Sequence, residues 1–183
     1  MRVPTLEPHQ MTPAQRAAYD ATVAGKRGRM PPPAQAWLHS PEFCDRVQKL
    51  GEFIRFDTCL PPALLEMAIL ITGRHWGSHY EWYAHRKLAH AAGLDDAVID
   101  AIRDGRAPAL KDAGARAIYD YASTLLRSRK VSQAQHDAVV AAFGERGVVE
   151  LVGTLGYYTL VSFTLNAFDI GLPAGEISEI PGP

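Results

Sequence analysis

The chain has 183 residues, 47% of them apolar and 21% charged, with a formal net charge of −1. That length suits one domain with its own core, and the balance excludes a fibrous or disordered chain and gives no reason to expect nucleic acid or an anionic membrane as partner. The two cysteines, Cys44 and Cys59, form no CxxC and cannot build a disulfide framework, so a reduced, cytoplasmic setting is expected.

Residues 1–11 hold no apolar signal core and read as an extended N-terminal arm. Thr12-Pro13 supplies an N-cap followed by proline at the first helical position, so a helix is expected over Pro13 to Ala24, ending near Gly25. KRGRMPPPAQ follows as a basic connection whose three prolines favour an extended path. Ser40-Pro41 opens a second helix, with Phe43, Val47, Leu50, Phe53 and Ile54 recurring on one face. Pro61-Pro62 opens the central helical stretch, which Gly93 closes.

Leu94 to Arg103 reads as a short helix, with Asp95 and Asp96 early and Arg103 late, the order that suits the helix dipole. A helix over Asp112 to Arg127 comes next. Ser132 with Gln135 fits a capping box for a further helix that ends at Gly144. The last helix, Gly147 to Asp169, carries Val148, Leu151, Val152, Leu155, Tyr158 and Leu165 on an apolar face. Gly153, Gly156, Asn166 and Asp169 interrupt this segment, which favours a buried helix over a membrane span. No stretch alternates as a strand does. The expected fold is an all-α, single-domain bundle of about six to seven helices, with an arm at 1–11, a helical domain at 12–173 and a polar tail at 174–183.

Chemistry is concentrated in the central stretch. Ser78, Glu81 and His85 fall within about 60° of one another around a helix, flanked by His75 and Trp82. Glu66 lies roughly 100° from His85 on a straight helix, but Gly73 and Gly77 stand between them, where a bend or break could bring the two to one pocket. A carboxylate beside an imidazole is a proton-transfer unit: it orients the ring and stabilises its protonated form. Each residue also has a plainer use. His85 can be a hydrogen-bonded helix histidine, Glu66 a helix-start acid, Glu81 a solvated acid, and Ser78 a small residue at a helix contact. Arg74 can hold a carboxylate in its planar fork or make an ordinary ion pair. Trp82 and Tyr158 can line a pocket or simply pack. His75 and His79 are four apart, the spacing of two metal ligands on one turn, but HWGSH lacks the glutamate of HExxH.

The pattern of Glu66, Ser78, Glu81 and His85, in the context SHYEWYAHRKLAHAAGL, resembles the carboxymuconolactone decarboxylase / alkyl hydroperoxidase D-like family. The peroxidase branch carries E-x11-C-x2-C-x3-H; Tyr80-Glu81-Trp82 followed by His85 is similar to the motif of the decarboxylase branch. LLEMAIL, AGLDDAVIDAI and LVGTLGYYTLVSFTLNAFDIGLP extend the resemblance over residues 12 to about 173. It implies an alkyl hydroperoxidase D-like fold, assembly as homotrimers or homohexamers, and an active site near a subunit interface. Ser78 and Glu81 stand at the family's two cysteine positions, and a hydroxyl and a carboxylate cannot form a disulfide, so thiol peroxidase chemistry at this motif is not expected.

The resemblance implies a cofactor-free, decarboxylase-like lyase acting on a small carboxylated lactone or unsaturated acid. Glu66, His85 and Glu81 would be catalytic, and Arg74, His75, Ser78, Trp82 and Tyr158 would bind substrate, with no metal. The alternatives are an isomerase or hydratase on the same site, a non-catalytic oligomeric binding protein, and a metal enzyme using His75 and His79.

Overall fold

Proline, which cannot continue a helix, here starts half of the α-helices. In the computed structural model, which describes residues 1–181, Pro13, Pro32, Pro41 and Pro62 each occupy the first position of an α-helix. The first-turn N–H has no intrahelical acceptor, so proline sacrifices nothing there. The helices are α1 (Pro13–Ala24), α2 (Pro32–Trp37), α3 (Pro41–Phe56), α4 (Pro62–His75), α5 (His79–Ala91), α6 (Asp96–Arg103), α7 (Ala113–Ser128) and α8 (Gln133–Ala167), after a single 3-10 turn at Pro8–Gln10. Among the described residues there is no strand; the fold is all-α, as the periodicity predicts.

The differences from the sequence reading are local. Pro31 is extended, at φ −75° and ψ 150°, but Pro32 and Pro33 begin α2 instead of continuing the extended path. The helix expected from Leu94 begins at Asp96, because the Asp95 carboxylate accepts from Ala97 N–H at 2.9 Å and caps it there. The two helices expected on either side of Gly144 form the single element α8, broken at Gly144, where φ is 71° and ψ 178°.

The chain forms two compact units, Met1–Thr58 with Thr164–Gly171, and Cys59–Phe163 with the segment from Leu172 onward. In the first, α3 packs against α1 and α2, and Trp37 Nε1 donates to Thr164 Oγ1 at 2.9 Å. The N-terminal arm is tied down in this unit: Arg2 N–H donates to the Phe168 carbonyl at 2.6 Å, and a His39 ring nitrogen lies 2.9 Å from the Pro4 carbonyl.

The second unit is built around α4, whose residues from Leu65 to Gly73 are all buried. A helix apolar all round belongs in the middle of a core, and α5, α6 and α7 pack against it. The apolar stripe of α8 is buried at Val148, Leu151, Leu155, Tyr158, Val161 and Leu165, while Val149, Val152 and Phe163 are exposed. By length and composition alone α8 could cross a membrane, but most of its apolar window is packed inside the protein.

Gly144 sits in a backbone region open almost only to glycine. Gly144→Ala is expected to lower stability by about 1–3 kcal/mol, read as a shift of the urea midpoint. An unchanged midpoint would show that the α8 break does not exist in solution.

Candidate active site

The path from α4 to α5 is a tight reversal. Trp76 N–H still bonds to the Thr72 carbonyl, and Ser78 N–H reaches back to the Gly73 carbonyl at 2.8 Å. Gly77 carries the turn at φ 57°, a left-handed conformation that favours glycine. The Ser78 carbonyl then accepts from Trp82 N–H at 3.0 Å and starts α5. The break allowed for in the sequence therefore exists, and it folds α5 back along α4. Gly73 helps the two helices approach: a methyl group there would lie 3.4 Å from Glu81 Cβ.

This reversal brings Glu66 of α4 to His85 of α5. Glu66 Oε2 lies 2.6 Å from His85 Nδ1, and Glu81 Oε2 lies 3.2 Å from Nε2 on the other edge of the ring. All three side chains are buried, with relative exposures of 6%, 5% and 4% for Glu66, Glu81 and His85. The Tyr158 ring stands edge-on to the imidazole, with centroids 4.9 Å apart. Trp82, 1% exposed, forms part of the same helix face.

Two polar atoms here are under-used. Ser78 is the N-cap residue of α5, yet its hydroxyl makes no capping bond; Oγ is buried without a hydrogen-bond partner. Glu81 Oε2 is buried and accepts no hydrogen bond despite its closeness to His85. Ser78, Glu81 and His85 thus form a stripe about 10 Å long in which buried acceptors and donors remain available to a ligand.

The protonation of His85 is set by opposing effects. Burial disfavours the imidazolium and is the largest single influence, but the charge and hydrogen bond of Glu66, joined by the nearby Glu81 carboxylate, outweigh it and raise His85 above its ordinary value. The site thus favours a protonated, proton-donating histidine held between two carboxylates.

Arg74 and His75, expected beside His85, lie elsewhere. They line a separate cavity that none of Glu66, Ser78, Glu81 or His85 borders, and Arg74 Nε donates to the Arg103 carbonyl at 2.7 Å. His79 pairs with the Ser178 hydroxyl. Among the described residues, no three His, Cys, Asp or Glu side chains are grouped to hold a metal ion. Both cysteines are free. Burial pushes the Cys44 thiol up to about 11, and the Cys59 thiol is raised by burial and by Glu150.

The C-terminal tail has a role that the sequence does not reveal. It runs along α5, where Glu179 accepts from Trp82 Nε1 at 3.0 Å and from Arg86 at 3.1 Å, and Glu176 accepts from the Tyr83 hydroxyl at 2.8 Å. Ile180 is buried at its end. The signal was present as acidic residues facing the cations and hydroxyls of α5, but their pairing is a tertiary contact across roughly ninety residues that no local pattern encodes.

His85 is raised on folding, so the folded state holds its proton more tightly than the unfolded chain. That stability is complete below the ordinary histidine range and fades as pH rises through the raised value. Urea denaturation of wild type and His85→Gln over a pH series should show the wild type's advantage largest in acid and shrinking in alkali. A difference that grows with pH would contradict the assignment.

No protein-family model matches the chain, and no curated protein matches it in sequence. Among solved structures it is similar to the debrominase Bmp8, determined as a Cys-to-Ala variant in complex with 2,3,4-tribromopyrrole, with a TM-score of 0.70 and 16% identity over 95% of this chain and 92% of that one. Likeness at that identity is a likeness of fold: the all-helical architecture described here is shared, nearly end to end, with that debrominase.

Proposed function

We propose that this chain is an acid–base enzyme of the carboxymuconolactone decarboxylase type, acting on a small carboxylated lactone or a related unsaturated acid. The observation that carries the reading is the buried His85 imidazole between Glu66 and Glu81. Two further points support it: the decarboxylase-like motif in which those residues stand, and a fold shared with an enzyme.

In the proposed reaction the carbon–carbon bond to the substrate carboxylate breaks and carbon dioxide departs. The electron pair passes into the conjugated carbonyl as an enolate. His85 donates its proton to the resulting carbanion and recovers one from solvent, so the net change is replacement of a carboxylate by hydrogen. Glu66 holds the ring and stabilises its charged form. Ser78 Oγ would bind a substrate oxygen, and Glu81, with its unsatisfied oxygen, would relay the proton from solvent back to His85. The second carboxylate also suits a proton-shift isomerisation on the same stripe, which is the second reading.

Thiolate chemistry of either peroxidase or dehalogenase kind has less support. Neither cysteine stands on α4 or α5, and both thiols are raised away from the reactive thiolate. The exposed apolar residues Val149, Val152 and Phe163 of α8 support assembly into a homo-oligomer.

The test is turnover of 4-carboxymuconolactone by wild type and His85→Gln, following substrate loss and carbon dioxide release together. The wild type is expected to release carbon dioxide, and the variant to lose at least about a hundredfold in rate while keeping its helical content. A folded wild type that leaves the lactone untouched overturns the decarboxylase reading, and consumption without carbon dioxide favours the isomerase.

A further inference from the structure

The cavity bordered by Arg74 and His75 lies within the second unit. It has a volume of about 290 Å³ and is formed where the end of α4, the turn after α6 and the last turns of α7 meet. Ile71 and Ile102 are its buried apolar floor, and Tyr119, Ser123 and Leu126 form a wall. Three arginines, Arg74, Arg106 and Arg127, line it from three different elements. Among the described residues no carboxylate side chain borders it.

The arginines have an ordinary use as cations near helix C-termini, and Arg74 and Arg127 do stand in the last turns of α4 and α7. That use does not account for three arginines lining one cavity with an apolar floor. Arg74 spends Nε on the Arg103 carbonyl and Arg127 spends Nε on the Ser123 carbonyl, bonds that aim the groups without neutralising them. Among the described residues neither has a carboxylate partner within ion-pair distance, whereas Arg106 pairs with Asp104 at 3.0 Å. Gly105, at φ 70°, makes the left-handed turn beside Arg74, whose Nη2 would lie in ordinary van der Waals contact, 3.7 Å, from a methyl group there. Guanidinium groups cannot shed their charge at any physiological pH, so the cavity stays cationic and favours an anionic ligand. The neighbouring His75 registers that field: partial burial and then the charge of Arg127 lower it below its ordinary value.

We propose that this cavity is a binding site, separate from the His85 cluster, for a small organic carboxylate with an apolar body. The planar forks of the arginines match a carboxylate in two-pronged geometry. The isoleucine floor selects an anion that carries carbon skeleton over a bare inorganic one. The volume of about 290 Å³ falls just below the roughly 300–1,000 Å³ range of small-molecule sites, which fits a small metabolite and not a large cofactor. The proposal is independent of the catalytic reading, since Arg74 lies eight residues, about 12 Å, along α4 from Glu66.

Isothermal titration at low ionic strength with benzoate as probe tests it, with benzamide as the neutral analogue and inorganic phosphate as the bare anion. Benzoate is expected to saturate one site per chain and to weaken with added salt. Arg74→Gln with Arg127→Gln, and separately the exposed Arg106→Gln, should weaken it, the double variant at least about tenfold. His85→Gln should leave the affinity unchanged. The proposal fails if benzamide or phosphate binds as tightly as benzoate, if no saturable binding occurs, or if the folded arginine variants bind like wild type. It fails equally if only His85→Gln abolishes binding, or if the arginine variants change the oligomeric state and not benzoate affinity.

Discussion

The 2.6 Å contact between Glu66 and His85 takes two ionisable groups out of water together. Neither could be buried alone in its charged form without a penalty of several kcal/mol, and breaking such a pair from one side typically costs about 3–5 kcal/mol. The surrounding architecture follows from the need to hold this pair. Gly77 turns the chain so that α5 lies back on α4, and Gly73 leaves the room for Glu81 to follow. Trp82 and Tyr158 then close the site from water. Exclusion of water strengthens the field of each carboxylate on the imidazole, which is how a buried histidine ends up favouring its charged form.

The same dryness defines what the site can do. In the proposed reaction a histidine that holds its proton between two carboxylates is a donor to a carbanion or enolate; the orphaned Ser78 hydroxyl would donate to a substrate oxygen and the Glu81 oxygen would accept from a substrate donor. The price is access: every member of the cluster is buried, and the tail from Glu176 to Ile180 lies across α5.

Much of this was legible in the sequence because it is local. Thr12-Pro13, Ser40-Pro41 and Pro61-Pro62 announce helix starts by a rule of hydrogen-bond supply. The spacing of Ser78, Glu81 and His85 puts them on one face whatever the tertiary fold. Gly73 and Gly77 flagged the break that joins Glu66 to His85. What could not be read depends on packing. Arg74 and His75 sit only four and three residues from Ser78, yet α4 ends between, so both line a different cavity with residues of α6 and α7. Pro32 and Pro33 could serve an extended path or a first helical turn, and local sequence does not choose. Glu176 and Glu179 read as solvated tail acids until their partners on α5, ninety or so residues earlier, are known.

The central claim is that Glu66 holds His85 protonated in a dry site, and nitrogen NMR of the His85 imidazole across a pH series tests it most directly. The account predicts that His85 in the wild type titrates above the ordinary histidine range and that Glu66→Gln brings it down. A His85 that titrates at or below the ordinary value, or one indifferent to the loss of the Glu66 charge, would contradict it.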